Sequence, residues 1–148
     1  MRACFDTGSA NGWILSSQCT NNRCKPGSKN QYFTPEKSNT FFNTSKWTSI
    51  EFGSGKLRGY FGYDDFRVGT GANQIKVTNQ TIGLIVEEHL LDKDYDAIIG
   101  LAYPAMANVG SPLFDSMINQ KLLNKNIFSF YMSMDSTDKS ELTFGSID

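Results

Sequence analysis

The chain is organised around Cys4-Phe5-Asp6-Thr7-Gly8-Ser9-Ala10-Asn11, with Trp13 just beyond it. An aspartate in this setting is predicted to lie on a tight turn at the end of an apolar strand. Gly8 allows backbone angles that a side chain would block, and the hydroxyls of Thr7 and Ser9 can donate hydrogen bonds that favour an ionised carboxylate. Asp-Thr-Gly is also common in ordinary surface turns. Taken alone, the stretch fits either a catalytic carboxylate or a plain turn.

Length and composition indicate one globular domain. The chain has 148 residues, of which 39% are hydrophobic and 13% aromatic, and folding at this length buries about 70% of the unfolded surface. The 14 basic and 15 acidic residues give a net charge of −1, which argues against a nucleic-acid partner because such binding needs clustered positive charge. No apolar run approaches the ~20 residues of a membrane span, and the amino end lacks the apolar core of a signal peptide.

Cysteines and glycosylation sequons bear on the cellular compartment. Cys19 and Cys24 enclose a short polar loop that could close as a disulfide, and a disulfide implies an oxidising compartment. The alternatives are two free thiols or a metal site, but zinc would need two further ligands and His89 is the only histidine. The sequons at Asn43 and Asn79 point to the same compartment with small weight, because so short a motif often arises by chance. No metal or cofactor is expected.

Alternation of apolar and polar residues predicts a chain made mostly of β-strands. One strand follows the aspartate turn, and a long hairpin turns at Gly53-Ser54-Gly55. Gly59 and Gly62 in the return strand indicate bulges or close backbone approach. The predicted strands span residues 12–17, 47–52, 56–68, 75–77, 81–86, 96–101, 127–134 and 141–144.

One helix interrupts this pattern. Ser111 is a favourable N-cap and Pro112 suits the first helical position. The apolar residues from Leu113 to Leu122 fall on one face, which predicts that the helix packs on the core through that face.

Two further predictions concern single side chains. Cys4, in the strand that leads to Asp6, is predicted to be buried and unpaired. Asp92, Asp94 and Asp96 alternate along the chain, but the invariant glycine and closing glutamate of an EF-hand loop are lacking. We therefore interpret the three aspartates as a solvated turn.

Six segments follow one another in a specific order. They are Phe5-Asp6-Thr7-Gly8-Ser9 with Trp13, the loop Cys19 to Cys24, Phe33-x-Pro35-x-x-Ser38-x-Thr40, Ile50-Glu51-Phe52-Gly53-Ser54-Gly55 leading to Gly62-Tyr63-Asp64, Asp96-Ala97-Ile98-Ile99-Gly100-Leu101-Ala102-Tyr103-Pro104, and Phe128-Ser129-Phe130-Tyr131 to Phe144-Gly145-Ser146-Ile147-Asp148. In order and spacing they resemble the amino-terminal lobe of the pepsin-like aspartic proteases. The resemblance covers nearly the whole chain, and together the segments are highly specific.

The resemblance implies a mainly β fold. Residues 1–148 would form a single lobe of a bilobal acid protease, a partly open, orthogonally packed, barrel-like lobe with one or two short helices. This would be the catalytic amino-terminal lobe, without its first strands and without the carboxy-terminal lobe.

The resemblance also implies roles for the residues of the turn. Asp6 is similar to the catalytic aspartate of the amino-terminal lobe, and Ser9 to the serine that hydrogen-bonds its outer oxygen. Thr7 is similar to the threonine that ties the active-site loops of the two lobes together. Gly8 and Trp13 complete the support of the site.

Other segments acquire roles in the same way. Phe52-Gly53-Ser54-Gly55 resembles the tip of the flap that closes over a bound peptide, and Cys19 and Cys24 match the family's short-loop disulfide. Ile98-Ile99-Gly100 resembles the segment that crosses behind the active-site turn. Leu90, Tyr95 and Ile98 could line a pocket for an apolar substrate side chain, or could simply pack in the core.

The sequence departs from the family's pattern in three ways. The family uses a second Asp-Thr-Gly or Asp-Ser-Gly, whereas Asp6-Thr7-Gly8 is the only such tripeptide here. Five residues precede Asp6, so the strands that lead into the catalytic turn are expected to be missing from the chain. Phe52 stands where the family usually has tyrosine, which keeps the ring and loses the hydroxyl.

The expected function is that of an aspartic endopeptidase that cleaves peptide or protein substrates at acidic pH through two aspartates sharing one proton. Because the chain carries only one of them, it is expected to be inactive unless it pairs with the missing carboxy-terminal lobe or with a second copy of itself. The alternative is a non-catalytic peptide-binding lobe or an inactive fragment. The parent protein is expected in the secretory pathway, in the lysosome or vacuole, or outside the cell.

Overall fold

The structure is a computed structural model that describes residues 1–20, 24, 31–52, 55–89, 95–135 and 137–147. Gly53, Ser54, Leu90, Asp92 and Asp94, which carry predictions above, lie outside the described residues. The described part of the chain contains eight strands and one α-helix. They are β1 (Ala3–Asp6), β2 (Gly12–Leu15), β3 (Phe42–Phe52), β4 (Gly55–Val68), β5 (Ile75–Glu88), β6 (Ala97–Gly100), α1 (Leu113–Asn119), β7 (Phe128–Tyr131) and β8 (Glu141–Phe144).

Six of these strands form one mixed sheet in the order β1-β6-β2-β5-β4-β3. Strand β6 lies between β1, to which it runs parallel, and β2, to which it runs antiparallel. Strand β5 runs parallel to β2 and antiparallel to β4, and β4 pairs antiparallel with β3. The fold is therefore mainly β, as predicted, and it is consistent with one lobe of a pepsin-like protease.

Two strands run further than the sequence pattern predicts. Strand β3 begins at Phe42 instead of Trp47, and the predicted strands 75–77 and 81–86 are one strand, β5. The pairing of β5 with β4 is irregular between Asp64 and Phe66, and Asn79 opposite this region takes a φ of 50°. The polar sequence at this bulge therefore predicts a loop, whereas in the structure the strand continues through the bulge.

The core is built around the indole ring of Trp13. Trp13 is 1% exposed, and its ring centroid lies 5.0 Å from that of Phe61. A Cβ atom at Gly59 would meet the backbone of Leu84 and come within 3.1 Å of the Trp13 ring, so the predicted close backbone approach at this glycine is confirmed. The buried cluster comprises Trp13, Leu15, Cys19, Cys24, Leu57, Phe61, Ile85 and Ile98.

The predicted helix is present but shorter than its apolar stripe. Helix α1 ends at Asn119, and the carbonyl of Pro112 accepts the N–H of Ser116 at 3.0 Å, which places the proline at the start of the helical turn. Leu113 and Met117 are buried, whereas Leu122 follows the helix and is 38% exposed. The prediction that the core-facing stripe extends to Leu122 is therefore wrong.

The chain divides into two units, residues 1–116 and residues 117–148. The first unit contains the six-stranded sheet. The second contains the hairpin of β7 and β8, in which Phe128 pairs with Phe144. None of the helices in the described ranges is both long enough and apolar enough to cross a bilayer.

The prediction that Cys4 is buried is wrong. The thiol is unpaired, as predicted, but it is exposed. Strand β1 is the outermost strand of the sheet among the described residues, and its first residues are exposed. Position in an apolar strand predicted burial, whereas position at the edge of the sheet leaves Cys4 open to solvent.

The prediction that Asp96 lies on a solvated turn is also wrong. Asp96 is 1% exposed, and its carboxylate accepts the backbone N–H of Arg2 at 2.7 Å and that of Gln31 at 3.1 Å. The guanidinium of Arg2 lies 3.5 Å from the same carboxylate. Burial raises the pKa of Asp96, but these hydrogen bonds and the charge of Arg2 outweigh it and leave the pKa below its ordinary value. Asp96 thus joins the start of β6 to the beginning of the chain.

Candidate active site

The aspartate turn is held from behind by strand β6. Asp6 ends β1 and pairs in register with Gly100, and the N–H of Leu101 donates to the carbonyl of Asp6 at 2.8 Å. The N–H of Ala102 donates to the carbonyl of Ser9 at 2.9 Å. Because β6 also pairs with β2 on its other side, the predicted crossing of Ile98-Ile99-Gly100 behind the turn is confirmed.

Gly100 permits this close crossing. A Cβ atom at this position would lie within 3 Å of the carbonyl oxygen of Ser9 and of backbone atoms of Ala10. Real Cβ atoms essentially never approach so closely, and the obstructing atoms are backbone atoms that cannot rotate away. The turn that carries Asp6 therefore rests directly on the backbone of β6.

Among the residues that the structure describes, one backbone N–H donates to the carboxylate of Asp6, which leaves most of its hydrogen-bonding capacity free. Its side chain is partly exposed, and Oδ1 accepts the N–H of Gly8 at 2.9 Å. Thr7 is exposed, whereas the hydroxyl of Ser9 is buried and has no hydrogen-bond partner within the described chain. The hydrogen bond expected between Ser9 and Asp6 is thus not formed here, and an ionised carboxylate with one donor can accept several more.

Asn11, for which the sequence predicts no role, fixes the far end of the turn. Asn11 is 6% exposed. Its Nδ2 donates to the carbonyl of Val109 at 2.7 Å, and its Oδ1 accepts the N–H of Asn108 at 2.7 Å. An asparagine five residues after the aspartate was visible in the sequence, but its partners lie almost a hundred residues away, so no local signal could identify the contact.

The segment that Asn11 holds also lines a groove within the first unit. The groove has a volume of about 420 Å³ and runs along β3. Trp47 is 57% exposed, its ring packs at 5.2 Å on that of Tyr60, and the guanidinium carbon of Arg58 lies 5.4 Å from it. The residues lining the groove are Lys46, Trp47, Thr48, Ser49, Ile50, Phe61, Asn108 and Val109.

The predicted flap is a β-hairpin in the structure. Strands β3 and β4 pair continuously from Lys46 and Phe61 up to Phe52 and Gly55. Gly55 has a φ of 141°, a conformation that favours glycine. The side chain of Phe52 lies outside the described part of the chain, so the role of the hairpin tip remains a prediction.

Of the three residues proposed for a substrate pocket, the structure describes Tyr95 and Ile98, and both lie at the core. Ile98 is 6% exposed and belongs to the cluster around Trp13, and Tyr95 packs against that cluster. Burial raises the pKa of Tyr95, and the charges of Cys4, Glu88 and Asp6 add to this effect. Leu90 lies outside the described residues. Of the two alternatives, core packing is the one observed for Ile98.

The predicted disulfide is confirmed. Cys19 and Cys24 are bonded, with their Cα atoms 6.0 Å apart, and both belong to the core cluster. The bond therefore holds Cys19 and Cys24 together on the buried side of the sheet.

Comparison with known proteins gives one consistent family. A family model described as eukaryotic aspartyl protease matches residues 1–148. Pepsin-3 of Oryctolagus cuniculus is 40% identical across 97% of this chain, Pepsin A of Suncus murinus is 41% identical across 97%, and Chymosin of Bos taurus is 40% identical across 97%. The chain spans 36–37% of the length of these relatives.

Proposed function

The chain belongs to the eukaryotic aspartyl protease family, and from this we propose that Asp6 is one of two aspartates that together hydrolyse peptide bonds. The observation that carries the proposal is the state of its carboxylate. Asp6 is partly exposed on a turn supported by β6, and one backbone N–H occupies one of its oxygen atoms. A carboxylate fixed in position, with free acceptor capacity, is suited to bind and deprotonate a water molecule.

The proposed chemistry requires a second carboxyl group. Water is a poor nucleophile and an amide a poor electrophile, so one carboxylate takes a proton from water while a protonated partner polarises the carbonyl. Two carboxyl groups held close together share one proton because both cannot ionise. Asp6-Thr7-Gly8 is the only Asp-Thr-Gly in these residues, and Asp-Ser-Gly does not occur. We propose that the partner comes from outside this chain, from a carboxy-terminal lobe or from a second copy.

The groove beside β3 is the proposed seat of a peptide or protein substrate. Strand β3 is the outermost strand at its end of the sheet among the described residues, and an extended peptide can add to such an edge through main-chain hydrogen bonds. The exposed indole of Trp47 offers an apolar surface along the same strand. In this arrangement Phe52, Gly53, Ser54 and Gly55 would cover the bound peptide.

An oxidising compartment is the proposed location of the parent protein. The Cys19–Cys24 bond supports a secretory, lysosomal, vacuolar or extracellular protein, because structural disulfides persist where thiols are not kept reduced.

Cleavage of an unfolded protein substrate tests the proposal. The longest natural polypeptide that contains these residues is assayed at about pH 3 to 6, with and without a transition-state peptide inhibitor. Asp6→Asn should reduce kcat by about 10²–10⁴-fold, the usual contribution of a positioned acid or base. Asp65→Asn is the matched control because Asp65 is paired with Lys76 at 2.7 Å, and it should keep full activity. Unchanged cleavage by Asp6→Asn would remove the catalytic assignment.

The 148-residue chain by itself distinguishes the two sources of the second aspartate. If a second copy supplies it, activity per chain should rise with protein concentration and fall on dilution. If another lobe supplies it, the chain should stay inactive at every concentration.

A non-catalytic peptide-binding lobe is the second candidate, favoured by the single Asp-Thr-Gly and by Phe52 in place of tyrosine. It predicts that the natural protein binds peptides without cleaving them, and that Asp6→Asn leaves binding intact. Absence of peptide binding at any pH would eliminate it.

A further inference from the structure

One of the two glycosylation sequons is exposed at all of its functional positions. The sequon at Asn43 occupies the start of β3, where the pairing with β4 shifts between Asn43 and Lys46. Thr44 and Ser45 therefore form a bulge on the outermost strand of the sheet. Asn43 and Ser45 are exposed, so both the acceptor amide and the hydroxyl of the third residue can be reached from solvent.

The bulge holds the sequon in a defined shape. Oδ1 of Asn43 accepts the N–H of Ser45 at 2.7 Å, which closes an Asx-turn. The side chain of Thr44 points the other way and donates its hydroxyl to the carbonyl of Phe61 at 2.6 Å. The turn uses the oxygen of the Asn43 amide and leaves out its Nδ2 atom, the atom that would carry a sugar.

The second sequon is far less accessible after folding. It begins at Asn79, which is exposed, but Gln80 and Thr81 are 3% and 6% exposed. Thr81 lies on an interior strand of the sheet, and its side chain fills the space that a Cβ atom of Gly110 would need. Because the motif depends on the hydroxyl of its third residue, folding withdraws this sequon from a modifying enzyme and leaves the first one available.

We infer that Asn43 is N-glycosylated, in preference to Asn79. In this reaction Nδ2 of Asn43 attacks the anomeric carbon of a lipid-linked oligosaccharide. The new C–N bond replaces the bond to the lipid pyrophosphate, which leaves with its electron pair, and Nδ2 releases one proton. The sequon and its exposure carry this inference independently of any role of Asp6.

A glycan at Asn43 would lie at the end of β3 that is remote from the hairpin tip. At about 3.3 Å per residue, Asn43 lies roughly 10 Å along β3 from Lys46, where the lining of the groove begins, and roughly 30 Å from Phe52. The glycan would cover the open edge of β3 beside Phe42, which is 64% exposed. Open strand edges promote association with other chains, so a bulky polar group here would shield the beginning of this edge, before the groove starts at Lys46.

Site-resolved mass spectrometry tests the inference on protein recovered from a eukaryotic secretory host. Glycosidase treatment in heavy-oxygen water converts each glycosylated asparagine to labelled aspartate. We expect high occupancy at Asn43 and lower occupancy at Asn79. Asn43→Gln and Ser45→Ala should each remove the same glycan, whereas Asn39→Gln, in an exposed asparagine outside any sequon, should leave it in place.

The Cys19–Cys24 disulfide serves as the internal check on folding and compartment. If chains that contain this disulfide carry no sugar at Asn43, or carry at least as much at Asn79, the inference is wrong. Material retained inside the host is analysed as well as secreted material, so a variant that is poorly secreted still gives an answer.

Discussion

Asp6 ends strand β1, and Asp96 precedes strand β6, which is the neighbour of β1 in the sheet. Their carboxylates nevertheless differ in exposure and in the number of hydrogen bonds they accept. Asp96 is 1% exposed, with two backbone N–H groups and one guanidinium on its oxygens. Asp6 is partly exposed and accepts one backbone N–H. The first carboxylate has its hydrogen-bonding capacity used by the fold, and the second has capacity left for something that binds to it.

This difference separates a residue that stabilises the fold from a residue that is available for a chemical reaction. A buried acceptor with all its donors contributes to folding, because its removal leaves those donors without partners. A carboxylate that the fold positions but does not saturate contributes little to folding and can act on water or substrate. Substitutions in the two regions should therefore have opposite effects on stability and on activity.

The largest loss of stability is expected from Asp96→Ala. It leaves the N–H groups of Arg2 and Gln31 without an acceptor, and each unsatisfied buried donor costs about 1–3 kcal/mol. We expect the free energy of unfolding to fall by about 2–4 kcal/mol. Denaturant unfolding monitored by tryptophan fluorescence measures this change.

Arg2→Ala is the control for that measurement. The side chain of Arg2 is 49% exposed, and its guanidinium lies 3.5 Å from Asp96. Removing it leaves both backbone donors in place. A partly exposed ion pair contributes about 0–1 kcal/mol. If Arg2→Ala destabilised the protein as much as Asp96→Ala, the ion pair and not the backbone hydrogen bonds would account for the effect.

Asn11→Ala is expected to come second. Asn11 belongs to the same turn as Asp6, but the fold uses both ends of its amide, since it donates to Val109 and accepts from Asn108. We expect a loss of about 1–3 kcal/mol in the free energy of unfolding, because two backbone groups lose their partner. If Asn11→Ala lowered the free energy of unfolding as little as Asp6→Asn, the proposed contrast between Asp6 and the side chains that the fold uses would be contradicted.

A smaller effect is expected in the acid limb of stability, that is, in how the free energy of unfolding changes with pH under acidic conditions. The folded-state pKa of Asp96 lies below its ordinary value of 3.8, so the unfolded chain binds protons first as the pH falls. The contribution of Asp96 is complete above the unfolded pKa and is lost as the pH falls through the folded pKa. The stability difference between the natural chain and Asp96→Asn should therefore shrink between about pH 5 and about pH 2.

Asp65 provides the comparison for this pH effect. A hydrogen bond from Lys76, followed by one from the backbone of Asn79, lowers the pKa of Asp65, but the Lys76 side chain is 47% exposed, and solvent weakens such a pair. Asp65→Asn should therefore change the slope of stability against pH in the same direction as Asp96→Asn, but by less. An equal change of slope for both variants would show that burial of Asp96 is not what sets the acid limb.

The sequence predicted the parts of the molecule whose signals are local. The glycine turn after Asp6, the hairpin of β3 and β4, the apolar run of β6 and the Cys19–Cys24 loop were each visible as short patterns. They also kept a family-specific order, so the crossing of β6 behind the turn could be predicted from the resemblance.

The errors concern residues whose state depends on distant partners. The acidic neighbours of Asp96 predict a solvated carboxylate, whereas its partners are Arg2 and Gln31. The apolar strand around Cys4 predicts burial, whereas that strand is at the edge of the described sheet. No local pattern predicts the contacts of Asn11, because Asn108 and Val109 lie far along the chain. Spacing along a sequence indicates the periodicity of secondary structure, but it does not show which strands become neighbours in the sheet.

The smallest effect on stability should come from the residue with the greatest proposed role in function. Asp6→Asn keeps an acceptor oxygen for the N–H of Gly8, and it removes a charge that is already partly solvated. We expect the free energy of unfolding to change by less than about 0.5 kcal/mol, as for surface substitutions that break no buried contact. Denaturant unfolding of the isolated chain measures this without any need for the second aspartate. A loss comparable to that of Asp96→Ala would mean that the carboxylate of Asp6 is committed to the fold, and its free capacity could then no longer support a catalytic role.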